Sequence, residues 1–336
     1  MTTMRSWRLR HRPVGDIKDS DLELVSEPVP SLADGEFLVR TVYLSLDPTN
    51  RIWMSDMDQY MPPVEIGDIM RGGVAGVVVE SRNPRFKVGD TVSGLGGWAD
   101  YFVSDGSMLS PMPPAPGVPL AVQFGLFSLI GPTAYFGLLD IGQPKPGETV
   151  VVSAAAGAVG SLVGQIAKIK GCRVIGIAGS DDKCRWITEE LGFDGAINYK
   201  RENVGARLDE LCPNGIDVNF ENVGGEIMEA VMQRMNNYSR MPLCGLISTY
   251  NDTEPAPGPR TWPLILMRRI KVQGFIVLDF LPRIAECIAD LGKWLAQGRL
   301  KVRVDVRHGL ENAIATVREL YSGGNTGKLL LQVGPE

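Results

Sequence analysis

The chain is poor in the residues from which most catalytic centres are built. It has two histidines and five cysteines in 336 residues, and the cysteines (172, 184, 212, 244 and 287) all lie in the second half. A catalytic zinc site takes about three Cys, His or carboxylate ligands. The amino-terminal region offers His11 alone, placed by the sequence in a first strand, and His308 stands near the far end. A Cys/His zinc centre is therefore excluded, and no metal is expected. No C-x-x-C pair occurs and the cysteine count is odd, which fits reduced thiols and a cytoplasmic protein. There is no G-x-S-x-G, so hydrolysis by a serine triad lacks its parts. A net charge of −5 and a pI near 5.3 leave no basic face for nucleic acid. No apolar run approaches membrane-spanning length. Arg5, Arg8, Arg10 and Arg12 are followed by no apolar signal core, and Trp7 and Leu9 alternate with them as in a half-exposed strand. Gly323-Gly324-Asn325-Thr326-Gly327-Lys328 is no phosphate loop, because Ser322 and Leu329 stand where its first glycine and its Ser/Thr should be.

What the chain does have is one strongly patterned stretch, from Thr149 to Ser180. Thr149-Val150-Val151-Val152-Ser153 is short and β-branched, as a buried parallel strand should be. Val159, Leu162, Val163 and Ile166 recur at helical spacing, Gly171 stops that helix, and Cys172 to Ala178 forms a second strand. The turn between strand and helix matches G-x-G-x-x-G, with Ala155 at the first glycine, then Gly157 and Gly160. Gly157 lets backbone approach a pyrophosphate, Gly160 lets helix and strand pack closely, and the helix N-terminus favours the negative charge.

Around this unit the chain reads as two domains. Residues 1–125 are β-rich, with strands from Phe37 to Leu46, from Val74 to Glu80, and after the Val88–Val92 turn. Trp53 to Pro63, rich in methionine and aromatics, suits the wall of an apolar substrate pocket or a loop tucked onto the core. Prolines 111, 113, 114, 116 and 119 mark an extended connection. From about Gly131 to Gly298 strands and helices alternate. Strands at 196–199, 216–220, 241–247 and 270–277 bring the parallel set to six, a complete doubly wound sheet. Asn251 to Pro263 reads as a lid-like loop, Leu281 to Gln297 as a helix, and the tail as strand–helix–strand rejoining the first domain. The domains are thus expected at 1–125 with 300–336, and at 126–299.

The end of the second strand selects the cofactor, since a carboxylate there grips a ribose hydroxyl and a cation accepts a 2′-phosphate. Here Ala178-Gly179-Ser180 precedes Lys183, which favours NADP. Asp181 and Asp182 point the other way unless they merely cap the next helix.

Several motifs resemble the zinc-independent medium-chain dehydrogenase/reductases. They are Ala-Ala-Gly-Ala-Val-Gly-Ser at 155–161, Gly-Gln-Ile-Ala-Lys at 164–168, Leu-Gly-Phe-Asp at 191–194, Ile-Asn-Tyr-Lys at 197–200 and Phe-Glu-Asn-Val-Gly-Gly at 220–225. Leu44 to Pro48, Gly89-Asp90 and Asn325 to Lys328 extend the likeness over nearly the whole chain. The subgroup resembled includes prostaglandin reductases, alkenal double-bond reductases and curcumin reductase. The resemblance implies a six-stranded Rossmann sheet plus a β-rich GroES-like barrel, and a homodimer. It also implies metal-free, NADPH-dependent reduction of the carbon–carbon double bond of an α,β-unsaturated ketone or aldehyde. Quinone reduction and a non-catalytic NADPH-binding role stay open at this point. By position, the resemblance puts Gly179, Ser180, Lys183 and Tyr199 around the 2′-phosphate, and Ala156, Gly157, Ala158, Val159 and Gly160 at the pyrophosphate. Thr133, Asn222, Cys244, Phe275, Val277 and Asn325 lie elsewhere along the cofactor. Tyr250 falls beside the nicotinamide ribose, as catalytic donor or as a loop tyrosine that only packs. One departure stands out: Thr49-Asn50-Arg51 follows Asp47-Pro48 where the subgroup commonly has an aromatic residue and a methionine.

Overall fold

In the computed structural model of the chain the described residues are 3–112 and 115–336. Pro113 and Pro114, read above as part of the extended connection, lie outside them. The first strands are β1 (Thr3–Leu9), β2 (Leu22–Pro28) and β3 (Phe37–Ser45), followed by the short helix α1 (Thr49–Trp53). Next come β4 (Arg71–Ser81), β5 (Thr91–Gly97), β6 (Tyr101–Ser104) and β7 (Leu109–Pro111). Helices α2 (Leu120–Phe127) and α3 (Ile130–Phe136) lead to β8 (Thr149–Val152), α4 (Ala158–Ile169), β9 (Arg173–Ala178), α5 (Asp181–Arg185) and β10 (Gly195–Asn198). Then follow α6 (Val204–Leu211), β11 (Ile216–Phe220), α7 (Gly225–Met232), β12 (Met235–Leu243), α8 (Trp262–Arg268), β13 (Lys271–Gly274) and α9 (Ile284–Ala296). The tail holds β14 (Val304–His308), α10 (Ala313–Ser322) and β15 (Lys328–Gln332). These residues cluster into two compact units. One comprises Met1–Ser128, Val304–Asn325 and Leu329–Glu336; the other comprises Leu129–Arg303 and Thr326–Lys328.

The first unit is built on a seven-stranded sheet in the order β14-β15-β3-β4-β5-β7, with β6 also on β3, beside the antiparallel β1–β2 pair. β3 pairs antiparallel with β4, β6 and β15. Its core collects Phe37, Leu44, Trp98 and Leu331, with Ala313, Ile314 and Val317 of α10, and Phe37 stacks on Phe86 at 4.2 Å between ring centres. Gly72 lets β4 pass the buried indole, since a Cβ there would stand 2.7 Å from Trp98 Nε1. His11 sits just beyond β1, not within it, its Nδ1 2.9 Å from Ser20 O.

The second unit is a six-stranded sheet in the order β10-β9-β8-β11-β12-β13, parallel throughout. The expected doubly wound sheet is therefore present. All four residues of β8 are buried, as a strand covered on both faces requires. Helix α4 buries Leu162, Val163 and Ile166 at the spacing read from the sequence, and Gly171 ends it at φ +81°. Chain order reverses between β8 and β11, which opens a crevice at the strands' carboxyl ends.

Several sequence expectations are corrected. β12 runs from 235 to 243, not 241 to 247: Met235 pairs with Ile216 and Arg240 with Val218, so the polar Asn236–Ser239 segment, with Tyr238 left-handed at φ +62°, bulges between the two paired ends. β13 ends at Gly274, and Val277–Arg283 is a 3-10 helix, so the strand read over 270–277 is half that length and the helix read from Leu281 begins at Ile284. The loop read over 251–263 ends in helix α8, with Pro263 in its first turn where the missing N–H costs nothing. Finally, the helical stretch Leu120–Gly142 is long and apolar enough to cross a membrane, against the expectation of no such run. Its apolar 18-residue window is 61% buried, and Ser128, extended at ψ −162°, breaks it between α2 and α3 as in a core segment.

Candidate active site

The second unit's crevice begins at the carboxyl end of β8. Ala154 adopts φ +48°, so the tight turn falls one residue before the first fingerprint position. Ala155 therefore has no need of glycine's freedom; its N–H donates to Ile177 O at 3.0 Å, and its methyl lies over Gly176 of β9. Gly157 N–H donates to Ala154 O at 2.9 Å and starts α4. At Gly160 a Cβ would stand 2.4 Å from Ala154 O, so only glycine lets the helix close onto the turn. Ala158, Val159 and Gly160 thus form the first turn of a helix whose amino end faces the crevice, a site suited to an anion. Gly327 donates to Ala156 O at 2.8 Å, closing the far side of the loop.

The end of β9 brings four of the expected residues together. Tyr199, 42% exposed, lays its ring along Gly179, where a Cβ would be 3.1 Å from the ring and 3.2 Å from the hydroxyl. Ser180 caps α5, its hydroxyl accepting from Lys183 N–H at 3.3 Å. Both nearby acids are engaged elsewhere: Asp181 pairs with Arg201 and accepts from Asn198 Nδ2 at 2.6 Å, and Asp182 pairs with Arg185. Arg201 and Arg185 thereby offset the negative charge that the two aspartates bring to this edge.

On the other side of the reversal, Asn222 follows β11. Its backbone N–H donates to Ser153 Oγ and its Nδ2 to Ser153 O, both at 2.8 Å. The loop carrying Tyr250 hangs on this turn: Ile247 N–H reaches Asn222 O at 3.2 Å, and Ser248 Oγ reaches Val223 O at 2.6 Å. Tyr250 Oη accepts from Leu246 N–H at 3.0 Å, a bond that uses an oxygen lone pair and not the phenolic proton. Gly245 makes room for that hydroxyl. Cys244 begins the loop, and burial, with the nearby Glu221 charge second, pushes its thiol up to about 12. Sequence reasoning missed Glu221, fully buried at the centre of this cluster. The sequence carries it inside the Phe-Glu-Asn-Val-Gly-Gly motif at 220–225 and as polar Asn219 and Glu221 alternating with Val218 and Phe220 at a strand end, but neither singles it out.

The remaining expected residues lie around this cluster or apart from it. Phe275 turns its ring inward, edge-on to Phe220 at 6.2 Å and over Gly137, so its backbone is the part left to a ligand. Val277 opens the 3-10 helix, and Thr133 donates back to Leu129 O at 2.6 Å within its own helix. Asn325 clusters with the first unit, next to the three tail residues that cluster with the second. In the first unit, the Trp53–Pro63 segment has an organised polar edge. Tyr60 Oη meets Thr49 Oγ1 at 2.6 Å and accepts from Trp53 Nε1 at 2.9 Å, and the Arg71 guanidinium lies 5.6 Å from the Trp53 ring centre. Asn50 and Arg51 are buried and serve the fold. Asn50 Oδ1 accepts from Asp47 N–H, and the Arg51 guanidinium reaches Pro13 O at 2.9 Å. Among the described residues no group of three or more His, Cys, Asp or Glu could hold a metal ion.

Comparison with known proteins identifies the family. The family model described as "N-terminal domain of oxidoreductase" matches residues 5–112, and "Zinc-binding dehydrogenase" matches 158–296. The chain is 45% identical over 334 residues to NADPH-dependent curcumin reductase of Escherichia coli (strain K12), covering 98% of this chain and 96% of the relative. It is 40% identical to prostaglandin reductase 1 of Bos taurus, covering 99% and 100% of the two chains. The crystal structure of CurA in complex with NADPH from Vibrio vulnificus superposes with a TM-score of 0.93 at 45% identity, over 99% of this chain and 100% of that one. The chain therefore belongs to the medium-chain dehydrogenase/reductase family, in the subgroup that holds the curcumin and prostaglandin reductases.

Proposed function

We propose that this protein uses NADPH to reduce the carbon–carbon double bond of α,β-unsaturated ketones and aldehydes. The observation that carries the reading is the placement of the Tyr250 loop. It is hung on the Asn222 turn at the carboxyl ends of the central strands, where the chain order reverses. The residues present fit the dinucleotide: the cradle beside Gly160 is one a Cβ would fill, and the acids at the end of β9 are paired with arginines. Ala156, Gly157, Ala158, Val159 and Gly160 hold the pyrophosphate through backbone N–H groups. Gly179, Ser180, Lys183 and Tyr199 take the 2′-phosphate, and Asn222, Cys244, Phe275, Val277, Thr133 and Asn325 lie along the rest of the cofactor. When bound, NADPH supplies a hydride for the β-carbon of the alkene. Negative charge then gathers on the substrate's carbonyl oxygen, and Tyr250 donates its phenolic proton in a hydrogen bond to that oxygen or to the ribose hydroxyl beside it. Thr49, Met57 and Tyr60 supply an apolar wall with one polar edge on the first unit.

The same reading divides the labour between the units: 126–299 for the cofactor, 1–125 with 300–336 for the substrate. The protein works as a homodimer in the cytoplasm. In support, β13 is an edge strand, α8 beside β12 exposes Trp262, Leu266 and Met267, and all five cysteines are free thiols. The deciding experiment follows NADPH absorbance with a panel of enones, enals and quinones. Turnover with enones and enals above quinones is expected. A preference for quinones would move the reading to quinone reduction, and cofactor binding with no oxidation by any enone would leave a non-catalytic NADPH-binding protein.

A further inference from the structure

We propose that Glu221 is the positioning residue that sets the cofactor turn and the Tyr250 loop together; this rests on the reading just given of those two segments. Glu221 has no exposed surface, and the partners of its carboxylate are all neutral donors. Three donors converge on Oε1: Ser153 Oγ at 2.8 Å, Val223 N–H at 2.7 Å and Gly224 N–H at 2.9 Å. Oε2 accepts from Asn219 Nδ2 at 3.0 Å. The backbone of the same residue ties down the next strand's end, with its N–H on Pro242 O at 3.0 Å and its O accepting from Cys244 at 2.9 Å and Gly245 at 3.2 Å. Two arms leave this hub. Through Ser153, which accepts from both nitrogens of Asn222, the carboxylate fixes the asparagine beside the cofactor. Through the Val223–Gly224 turn, whose carbonyl at Val223 accepts from Ser248 N and Oγ, it fixes the segment that leads to Tyr250.

What the position requires is an acceptor, not a charge. A glutamine can place its carbonyl where Oε1 stands and keep all three donors. Its amide would face Asn219, whose own Oδ1 has no partner among the described residues, so turning the Asn219 amide supplies the matching acceptor. A methionine of similar length keeps the volume but strands the N–H groups of Val223 and Gly224 in a buried site.

The test compares Glu221→Met and Glu221→Gln for NADPH affinity by fluorescence titration, and for kcat per cofactor-binding site on an enone. The methionine variant should bind NADPH about tenfold more weakly and turn over about tenfold more slowly, and the glutamine variant should stay within about twofold on both. Wild-type behaviour of the methionine variant overturns the proposal, and so does a glutamine variant as impaired as methionine, because charge would then be the acting property. Should the methionine variant not fold, the arms are cut singly. Ser153→Ala should weaken NADPH with little change in kcat, Ser248→Ala should lower kcat with little change in affinity, and any other pattern overturns the hub. Titration needs no turnover, so a wild-type protein that binds NADPH yet reduces no enone would defeat the proposed reaction while affinity still decides the role of Glu221.

Discussion

Leu246 N–H donates to Tyr250 Oη and ties the phenol to the loop that carries it, and its proposed role as a donor can be tested by removing the hydroxyl. Tyr250→Phe keeps the ring and removes the donor. Loss of one such donor typically costs about a hundredfold to a thousandfold in rate. With the ribose hydroxyl able to substitute in part, kcat on a good enone is expected to fall by roughly the lower figure, with NADPH affinity nearly kept. Unchanged turnover where hydride transfer limits the rate would remove the phenol from the mechanism. At the other end of the crevice, Lys183→Ala should raise KM for NADPH and leave NADH nearly unaffected, because only the former carries a 2′-phosphate. Equal losses with both cofactors would refute that placement. Lys183 is visible in the sequence because it follows a strand end whose pattern marks it, whereas Tyr250 is picked out by the family resemblance alone. Glu221 is not visible, since its meaning comes from Ser153, sixty-eight positions away and adjacent only once β8 and β11 are paired.

Among the elements, the turn from β8 into α4 is the most constrained. Gly160→Ala places a methyl 2.4 Å from the Ala154 carbonyl, a backbone atom that cannot swing aside, whereas at Gly157 the same methyl would stand 3.1 Å away. Overpacking of this kind costs about 1–3 kcal/mol. Gly160→Ala should therefore lower both the denaturation midpoint and NADPH affinity, and Gly157→Ala should disturb stability less. Equal midpoints for the two variants in a denaturant titration would show that the helix is not closed on the turn as described. β8, α4 and β9 were legible because burial on both sheet faces demands unbroken apolar strands and a regular helix stripe. β12 and α8 were misjudged for the opposite reason. One carries polar residues through a left-handed position, and the other starts on Trp262-Pro263 with Trp262, Leu266 and Met267 exposed, so neither shows the periodicity that burial imposes.

For the whole molecule, the apolar face of α8 and the edge strand β13 predict association. Light scattering at micromolar concentration should give twice the chain mass, and charged substitutions at Leu266 and Met267 should shift it toward one chain. A single-chain mass for the unaltered protein would refute the dimer. The two-unit layout was readable from the sequence in outline, because one half alternates strands with helices and the other is strand-rich. That Thr326–Lys328 would cluster with the other unit was not, since three residues carry no pattern of their own. The position of β15 has a consequence for how the chain is made. It lies between β14 and β3 inside the first unit's sheet, yet in the chain it follows the whole Leu129–Arg303 stretch of the second unit. On the ribosome the Tyr43–Ser45 end of β3 therefore lacks its β15 partner until most of the second unit has emerged, while β4 and β6 can already pair with β3, so the first unit's sheet is completed last.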